Sequence, residues 1–133
     1  MRIYISHSIR GPKGANATHD DMEQNCRRIE VIAEALRGYF SDIDFYVPAE
    51  YEDFVGRAYE KHFLTEKQIL EIDCDIISTC NAVIIYTPPD DSVVQGGRLV
   101  EMEYAHSISK QYCKFGSVPE AVKWLTKFRW ENQ

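Results

Sequence analysis

Ala82-Val83-Ile84-Ile85-Tyr86 is the stretch of this chain that decides its fold, because it is an uninterrupted apolar run that ends just before Pro88-Pro89. A run of this length closed by proline predicts a strand that is buried on both faces, as the strands of a parallel sheet are. Parallel neighbours must be joined by crossover connections, which are usually helices. The stretch therefore predicts an α/β fold.

Further strand patterns flank this run. Arg2 to Ser6 is a short β-rich segment before a polar loop, and Asp42 to Val47 is an apolar segment that stops at Pro48. Proline closes a strand well because it cannot donate to the ladder. Tyr112 to Phe115 lies beyond the central run and predicts a fourth strand.

Segments whose apolar residues have helical spacing lie between and after the strands. Helices are predicted over Met22 to Phe40, from the capping-box pattern Thr65-Glu66-Lys67-Gln68, over Leu99 to Ser109 and from Ser117 onward. The region from Ala49 to Leu64 has no clean period, so we expect an irregular segment with one helical turn there. The alternation predicts a doubly wound, flavodoxin-like or Rossmann-like parallel sheet of four or five strands flanked by helices, in a single domain over residues 1–133.

Composition and charge exclude several classes of function. The net charge is −6 and no Lys/Arg cluster is dense, so we expect no nucleic-acid polymer as a partner. No apolar run reaches the roughly 18 residues that suggest a membrane span, and the first residues turn polar too quickly for a secretory signal. The four cysteines form no CxxC pair, which predicts free thiols. We therefore expect a cytoplasmic protein with no membrane partner.

Common catalytic and cofactor motifs are missing from the chain. It has no GxSxG elbow, no G-x-G-x-x-G fingerprint and no P-loop, and its four histidines lack HExxH or another regular metal spacing. The aspartates Asp73, Asp75, Asp90 and Asp91 do not form an EF-hand loop. We expect neither a metal nor a cofactor.

The loop after the first strand contains residues that suit a phosphate. Ligands of doubly wound sheets bind beyond the carboxyl ends of the strands, which here are the ends at Ser6, Val47 and Tyr86. Ser8 offers a hydroxyl and Arg10 a guanidinium fork, while the glycine that follows lets backbone N–H groups converge. A polar surface loop is the alternative interpretation.

A carboxylate is predicted at the same edge. Glu101 follows Gly96-Gly97 early in a helix, so its side chain is expected to point back toward the sheet, where it could act as a nucleophile. A charge favoured by the helix dipole is the alternative. We expect Glu103 to be solvated, and of Asp73 and Asp75 on the second helix only one is expected to face the pocket.

Three segments in order resemble the nucleoside 2-deoxyribosyltransferase superfamily. They are Tyr4-Ile5-Ser6-His7-Ser8-Ile9-Arg10-Gly11, Asp73 eight residues before Asn81-Ala82-Val83-Ile84, and Gly97-Arg98-Leu99-Val100-Glu101-Met102-Glu103-Tyr104-Ala105. The first loop is most similar to the 2'-deoxynucleoside 5'-phosphate N-hydrolase branch, which reads Tyr-x-x-x-Ser-Ile-Arg-Gly there. The resemblance spans residues 1–110 and implies a doubly wound sheet.

The resemblance also implies a role for each matched residue. Glu101 would be the nucleophile, Asp73 would contact sugar or base and assist proton transfer, and Tyr4 would orient the nucleophile. The substrate-binding residues would be Ser8, Ile9, Arg10 and Gly11 around the 5'-phosphate, together with His7, Gln95 and Gly97. At two of these positions the chain departs from the branch: His7 replaces a glycine, and Gln95 replaces a phosphate-contacting serine that is an aspartate in the transferases.

The implied activity is hydrolysis of the N-glycosidic bond of (deoxy)nucleoside 5'-monophosphates through a glycosyl-enzyme that water resolves. Base exchange between deoxynucleosides, in which a second base replaces water, remains open. So does a nucleotide-binding module without catalysis, because a fold does not determine a function. The expected partner is a small nucleotide or nucleoside. The resemblance further implies a homo-oligomer, a dimer or higher, since in the family a neighbouring subunit lends a residue to the site.

Overall fold

The apolar run from Ala82 to Tyr86 is an interior strand of the sheet. The computed structural model describes residues 1–133. Four parallel strands pair in the order β2-β1-β3-β4, and their bounds are Arg2–Ser6 for β1, Asp44–Tyr46 for β2, Ala82–Tyr86 for β3 and Gln111–Phe115 for β4. Every residue of β3 is buried, as a strand covered on both faces must be.

Five α-helices connect and follow the strands. They are α1 (His19–Tyr39), α2 (Glu52–Glu60), α3 (Glu66–Ser78), α4 (Gly96–Ser107) and α5 (Val118–Glu131). Short 3₁₀ segments lie in the loops after β1, β2 and β3, at Gly11–Asn16, Pro48–Tyr51 and Pro89–Asp91. None of the helices combines the length and the apolar character that crossing a membrane requires.

The sheet separates two apolar layers. One layer packs Ile3 and Ile5 of β1 against α1 and α5, through side chains such as Leu36 and Leu125. The other packs the alternate residues of β1 and β3 against α3 and α4, and its members are Tyr4, Ile77, Cys80, Val83, Ile85 and Ala105. Helices therefore cover both faces, and the doubly wound α/β prediction is confirmed.

The strand order reverses between β1 and β3. From β1 the chain goes through α1 to β2 on one side, and it then crosses back through α3 to β3 on the other side. Loops that leave β1 and β3 consequently diverge, and they open a crevice beyond the carboxyl ends of these strands. This switch point carries the candidate site.

The structure corrects the sequence prediction in the connecting segments. The region from Ala49 to Leu64 contains the nine-residue helix α2, where we expected an irregular segment with one turn. No residue of this helix is buried, so packing does not require apolar residues at helical spacing in its sequence. Helix α1 begins at His19, because Thr18 and Asp21 form a capping box with aspartate in place of the usual glutamate or glutamine.

Thr65→Ala tests the cap of α3, the helix that carries Asp73. The Thr65 hydroxyl accepts the Gln68 N–H, and the Gln68 side chain accepts the Thr65 N–H in return. Loss of a threonine cap costs about 1 kcal/mol, so the free energy of unfolding in urea should fall by about that amount. Thr65→Ser retains the hydroxyl and should remain near wild type, and equal losses in both variants would contradict the assignment.

Candidate active site at the switch point of the sheet

Glu101 is a buried carboxyl at this edge, and unlike the buried Asp91, which pairs with Arg98, it has no cationic partner. Its side chain is 4% exposed. The Tyr4 hydroxyl donates a hydrogen bond to Oε2, and the Ser6 hydroxyl donates one to Oε1 at 2.8 Å. Each carboxyl oxygen has two lone pairs, so each can accept these bonds and still face a ligand.

Strand alternation and helix periodicity explain how these side chains meet. Tyr4 and Ser6 are two residues apart in β1, so they share one face of the strand. In α4 the buried positions are Arg98, Glu101 and Ala105, at spacings of three and four that define one face of a helix. Glu103 lies on another face and is exposed, as predicted.

Burial sets the protonation of Glu101. It raises the pKa of this carboxyl from an ordinary 4.5 to about 7; the hydrogen bonds from Tyr4 and Ser6 oppose the rise, and the charge of Asp73 adds to it. Burial also raises the pKa of Tyr4 well above its ordinary value, so its phenol remains a proton donor. Near neutral pH, Glu101 is thus balanced between acid and carboxylate, a condition found often at functional sites.

Two more carboxyls extend this site. Burial raises the pKa of Asp73, on α3, to about 6, and the charge of Glu52 adds to the rise. Burial likewise raises the pKa of Glu52, the first residue of α2. Glu101, Asp73 and Glu52 therefore form a chain of carboxyls in electrostatic contact. The exposed Asp75 stays outside it.

Stacked tyrosine rings form a wall beside the carboxyls. The ring centroids of Tyr4 and Tyr46 are 5.5 Å apart, and those of Tyr46 and Tyr51 are 5.1 Å apart, with nearly parallel planes. Burial and the charge of Asp73 raise the pKa of Tyr46 to about 12, so its phenol stays protonated. An aromatic surface next to hydrogen-bonding groups suits a flat heterocycle.

Sequence reasoning missed Glu52, Tyr46 and Tyr51 as site residues. The last strand residue of β2 is Tyr46, and the two others lie in the segment that was expected to be irregular. The available signal was the end of the strand at Val47-Pro48, because the loop after a parallel strand lies at the ligand-binding edge.

The loop after β1 turns tightly at Gly11. The φ angle of this residue is 70°, which favours glycine, and a Cβ atom would lie 2.5 Å from Nδ2 of Asn25, so a larger residue would also have to displace that side chain. Its N–H donates to Ser8 Oγ at 2.9 Å, and the Asn25 amide donates to the Ile9 carbonyl at 3.0 Å. The Arg10 side chain is exposed at the outer side of the turn.

The other predicted binding residues divide into one buried and two exposed positions. His7 is 8% exposed, and its Nε2 accepts the Ala49 N–H at 3.1 Å. Gln95 directly precedes α4, and Gly97 is the second residue of that helix; both are exposed. Glu101, Tyr4 and Asp73 thus meet on one face of the sheet, whereas His7 lies among residues on the other.

Arg98 is buried at this edge of the sheet and has a structural role there that we did not predict. Its guanidinium donates to the Tyr86 carbonyl at 2.8 Å, the Val93 carbonyl at 3.0 Å, and both the carbonyl and Oδ1 of Asp91 at 2.9 and 2.8 Å. These bonds tie the loop after β3 to the first turn of α4, three residues before Glu101. No feature of the sequence indicates that an arginine after two glycines is buried.

One surface group has the donor atoms of a metal site. His19, Asp20 and Glu23 lie at the exposed start of α1, with their ligand atoms within 4.8 Å of one another. Exposed acidic groups of this kind are common, and none of the three takes part in the bonds of Glu101. We assign them no role.

Comparison of the chain with family models, with curated proteins and with solved structures found no match. The geometry around Glu101 and the sequence motifs that contain it are therefore the features that bear on function.

Replacing Glu101 with glutamine should stabilise the protein at alkaline pH. The folded protein holds the carboxyl proton of Glu101 more tightly than the unfolded chain does. The stability that this proton contributes is therefore fully present below about pH 4.5 and is lost as pH rises through about 7. Glutamine is neutral throughout. The gain in free energy of unfolding should be about 2–3 kcal/mol larger at pH 8 than at pH 5.

The matched control is Glu103→Gln, which removes a charge from the exposed side of the same helix. Urea denaturation of both variants and wild type at the two pH values measures the effect. An equal gain at pH 5 and pH 8 for Glu101→Gln would contradict a desolvated carboxyl.

Proposed function

We propose that the protein hydrolyses the N-glycosidic bond of (deoxy)nucleoside 5'-monophosphates and releases free base and sugar phosphate. The observation that carries the proposal is the buried carboxyl of Glu101, held by the Tyr4 and Ser6 hydroxyls at the switch point of the sheet. Its place in the motif that resembles the deoxyribosyltransferase superfamily supplies the reaction class. The protein would therefore be an N-glycosidase.

In the first step an oxygen of Glu101 forms a bond to C1' of the sugar. The bond from C1' to the base nitrogen breaks, and its electron pair leaves with the base. Positive charge develops on the sugar in the transition state, and a nearby carboxylate stabilises such charge. The Tyr4 and Ser6 hydroxyls keep the attacking carboxylate in place and favour its ionised form.

Asp73 provides the proton that the departing base needs. The raised pKa of about 6 leaves part of the Asp73 population protonated near neutral pH. In the second step Asp73 accepts a proton from water, whose oxygen bonds to C1' as the bond to Glu101 breaks. The products are the free base and a 5-phosphorylated sugar, and both carboxyls return to their starting states.

Two alternatives share this geometry. If a second base instead of water resolves the glycosyl-enzyme, the protein is a deoxyribosyltransferase, and an added free base would be incorporated into product. If ligand binds without turnover, the protein is a nucleotide-binding module. One assay with a labelled free base separates all three outcomes.

The remaining proposals concern partners and location. We propose a homo-oligomer because exposed aromatic side chains lie along α2 and just beyond it, next to the site, at Tyr51, Phe54, Tyr59 and Phe63. The four cysteines are free thiols, which supports the proposed cytoplasmic location.

Glu101→Gln and Glu101→Ala should lose base release from deoxynucleoside 5'-monophosphates by about 10³-fold or more, because the nucleophile is gone. Chromatographic detection of free base across a panel of nucleosides and monophosphates measures this. Circular dichroism checks the fold of each variant. Glu103→Gln is the control and should retain activity, and undiminished turnover in either Glu101 variant would refute the mechanism.

The pH profile of kcat should be bell-shaped. Activity needs ionised Glu101 and protonated Asp73, a pair that holds one proton. It therefore falls at low pH, where the pair binds a second proton, and at high pH, where the pair loses its only proton. Only the alkaline limb is diagnostic, because a phosphate monoester itself titrates near about pH 6.

Asp73→Asn should abolish that alkaline limb, since an amide has no proton to lose over this range. Asp75→Asn, on the exposed side of α3, should leave the profile unchanged. An alkaline limb that persists in the slower Asp73→Asn enzyme would assign the general acid to another group.

A further inference from the structure

Glu52 lies on the inward side of the loosely packed helix α2. Its side chain is half-buried, and Val55 and Gly56, three and four residues further on, are half-buried with it. Positions at these spacings share one face of a helix. The neighbouring Asp53 is exposed on another face. Glu52 is therefore directed into the molecule, toward the carboxyls of the Glu101 site.

Glu52 and Asp73 form a pair of half-buried carboxyls in electrostatic contact. Burial raises the pKa of both groups, and the charge of Glu52 adds to the rise at Asp73. Neither a hydrogen bond nor a cation of the chain acts on either of them, in contrast to Glu101, which accepts two hydroxyl protons. Carboxyls held partly out of water without donors are costly, so a ligand that supplies hydrogen-bonding groups to this pair is favoured.

The positions of the two carboxyls in their helices decide which of them holds a proton. Two carboxyls this close to one another do not ionise independently, and the proton is shared by the pair. Glu52 is the first residue of α2, where the helix dipole favours a negative charge. Asp73 lies within α3 and receives no such support. The pair consequently presents a donor at Asp73 and an acceptor at Glu52.

The tyrosine wall borders both carboxyls. Tyr51 directly precedes Glu52 and stacks on Tyr46, whose phenol in turn is influenced by the charge of Asp73. Aromatic rings hold a flat heterocycle by its faces. The groups on the edge of a base that lies along this wall are therefore the ones that meet the carboxyl pair.

The edges of purine bases differ in the way that such a pair can distinguish. In adenine the N7 acceptor lies beside the amino group of C6, which is a donor, whereas a 6-oxopurine presents two acceptors, N7 and O6. A protonated Asp73 suits N7 in both kinds of base. An ionised Glu52 suits the amino group only, because a carboxylate opposite O6 would place two acceptors against each other.

We propose that Glu52 and Asp73 select 6-aminopurine nucleotides, with Asp73 donating to N7 of the base and Glu52 accepting from its 6-amino group. The same contact places the Asp73 proton on a ring nitrogen of the departing base. Glu52 is thus a specificity-determining residue. This inference rests on the proposed function and names the base for it.

Two nucleotides that differ on this edge at C6 alone test the proposal. Deoxyadenosine 5'-monophosphate carries the amino group and deoxyinosine 5'-monophosphate the oxo group. Wild type should release adenine with a kcat/KM about tenfold or more above that for hypoxanthine, because the second substrate leaves Glu52 without a donor. Chromatography of the free bases near pH 6, where Asp73 is partly protonated, measures both values. Equal values would overturn the proposal.

Glu52→Gln should lower this adenine-to-hypoxanthine ratio by about tenfold or more, since the amide has the same size and offers an N–H to O6. The substitution also removes the charge that raises the pKa of Asp73, but this change affects both substrates, so their ratio isolates recognition of the base. Because α2 buries no residue, the variant should fold, which circular dichroism checks.

Asp53→Asn is the matched control, as it removes the next charge on the same helix from an exposed position. Its ratio should equal that of wild type. A ratio that stays at the wild-type value in Glu52→Gln, or that falls equally in Asp53→Asn, would limit Glu52 to a general effect of charge and refute its contact with the base.

Calorimetry separates this inference from the proposed reaction. The two nucleotides are titrated into Glu101→Gln, with and without Glu52→Gln, so that binding is measured without chemistry. Tighter binding of the adenine nucleotide that Glu52→Gln removes, in a protein whose wild type releases no base, would reject the hydrolase proposal alone. Release of both bases at equal kcat/KM would reject this inference alone.

Discussion

The structure of this edge depends on one buried carboxyl. Glu101 is removed from water between β1 and α4, and the hydroxyls of Tyr4 and Ser6 are its hydrogen-bond donors. A carboxylate in such a place is unfavourable unless it is paired or neutralised, and no cation of the chain is among its partners. Burial favours the neutral acid and the two hydroxyls favour the carboxylate, and the pKa of Glu101 is raised to about 7 as a result. Burial of this kind is costly in a purely structural residue, and it is the property on which the proposed role of Glu101 depends.

The doubly wound topology creates the two-sided character of the site. Strand order reverses between β1 and β3, so the loops after them diverge and both faces of the sheet contribute side chains at one place. Neighbouring residues at the end of β1 therefore serve opposite sides: Ser6 donates to Glu101, and His7, the next residue, accepts the Ala49 N–H.

The three helices that carry the carboxyls differ in how firmly they are held. Helix α3 is anchored by a capping box, and α4 is anchored through the buried Arg98–Asp91 pair. Removing one partner of such a pair is strongly destabilising, so Arg98 supports the position of Glu101 through the backbone that they share. By contrast α2 buries no side chain, yet it supplies Glu52 beside Asp73. The carboxyl chain is thus built from two firmly packed helices and one loosely packed helix.

The sequence by itself determined the order of the strands and of every helix except α2, because periods of two and of three to four and the capping patterns are local properties. It also indicated Glu101, Asp73 and the loop after β1, since ends of parallel strands share one edge. Only the tertiary structure showed that Ser6 also donates to Glu101, since the two residues are 95 positions apart. Burial shifts the pKa of Glu101, and Ala49 selects the tautomer of His7, 42 positions away. These properties depend on desolvation and on long-range contacts, which no local pattern of residues encodes.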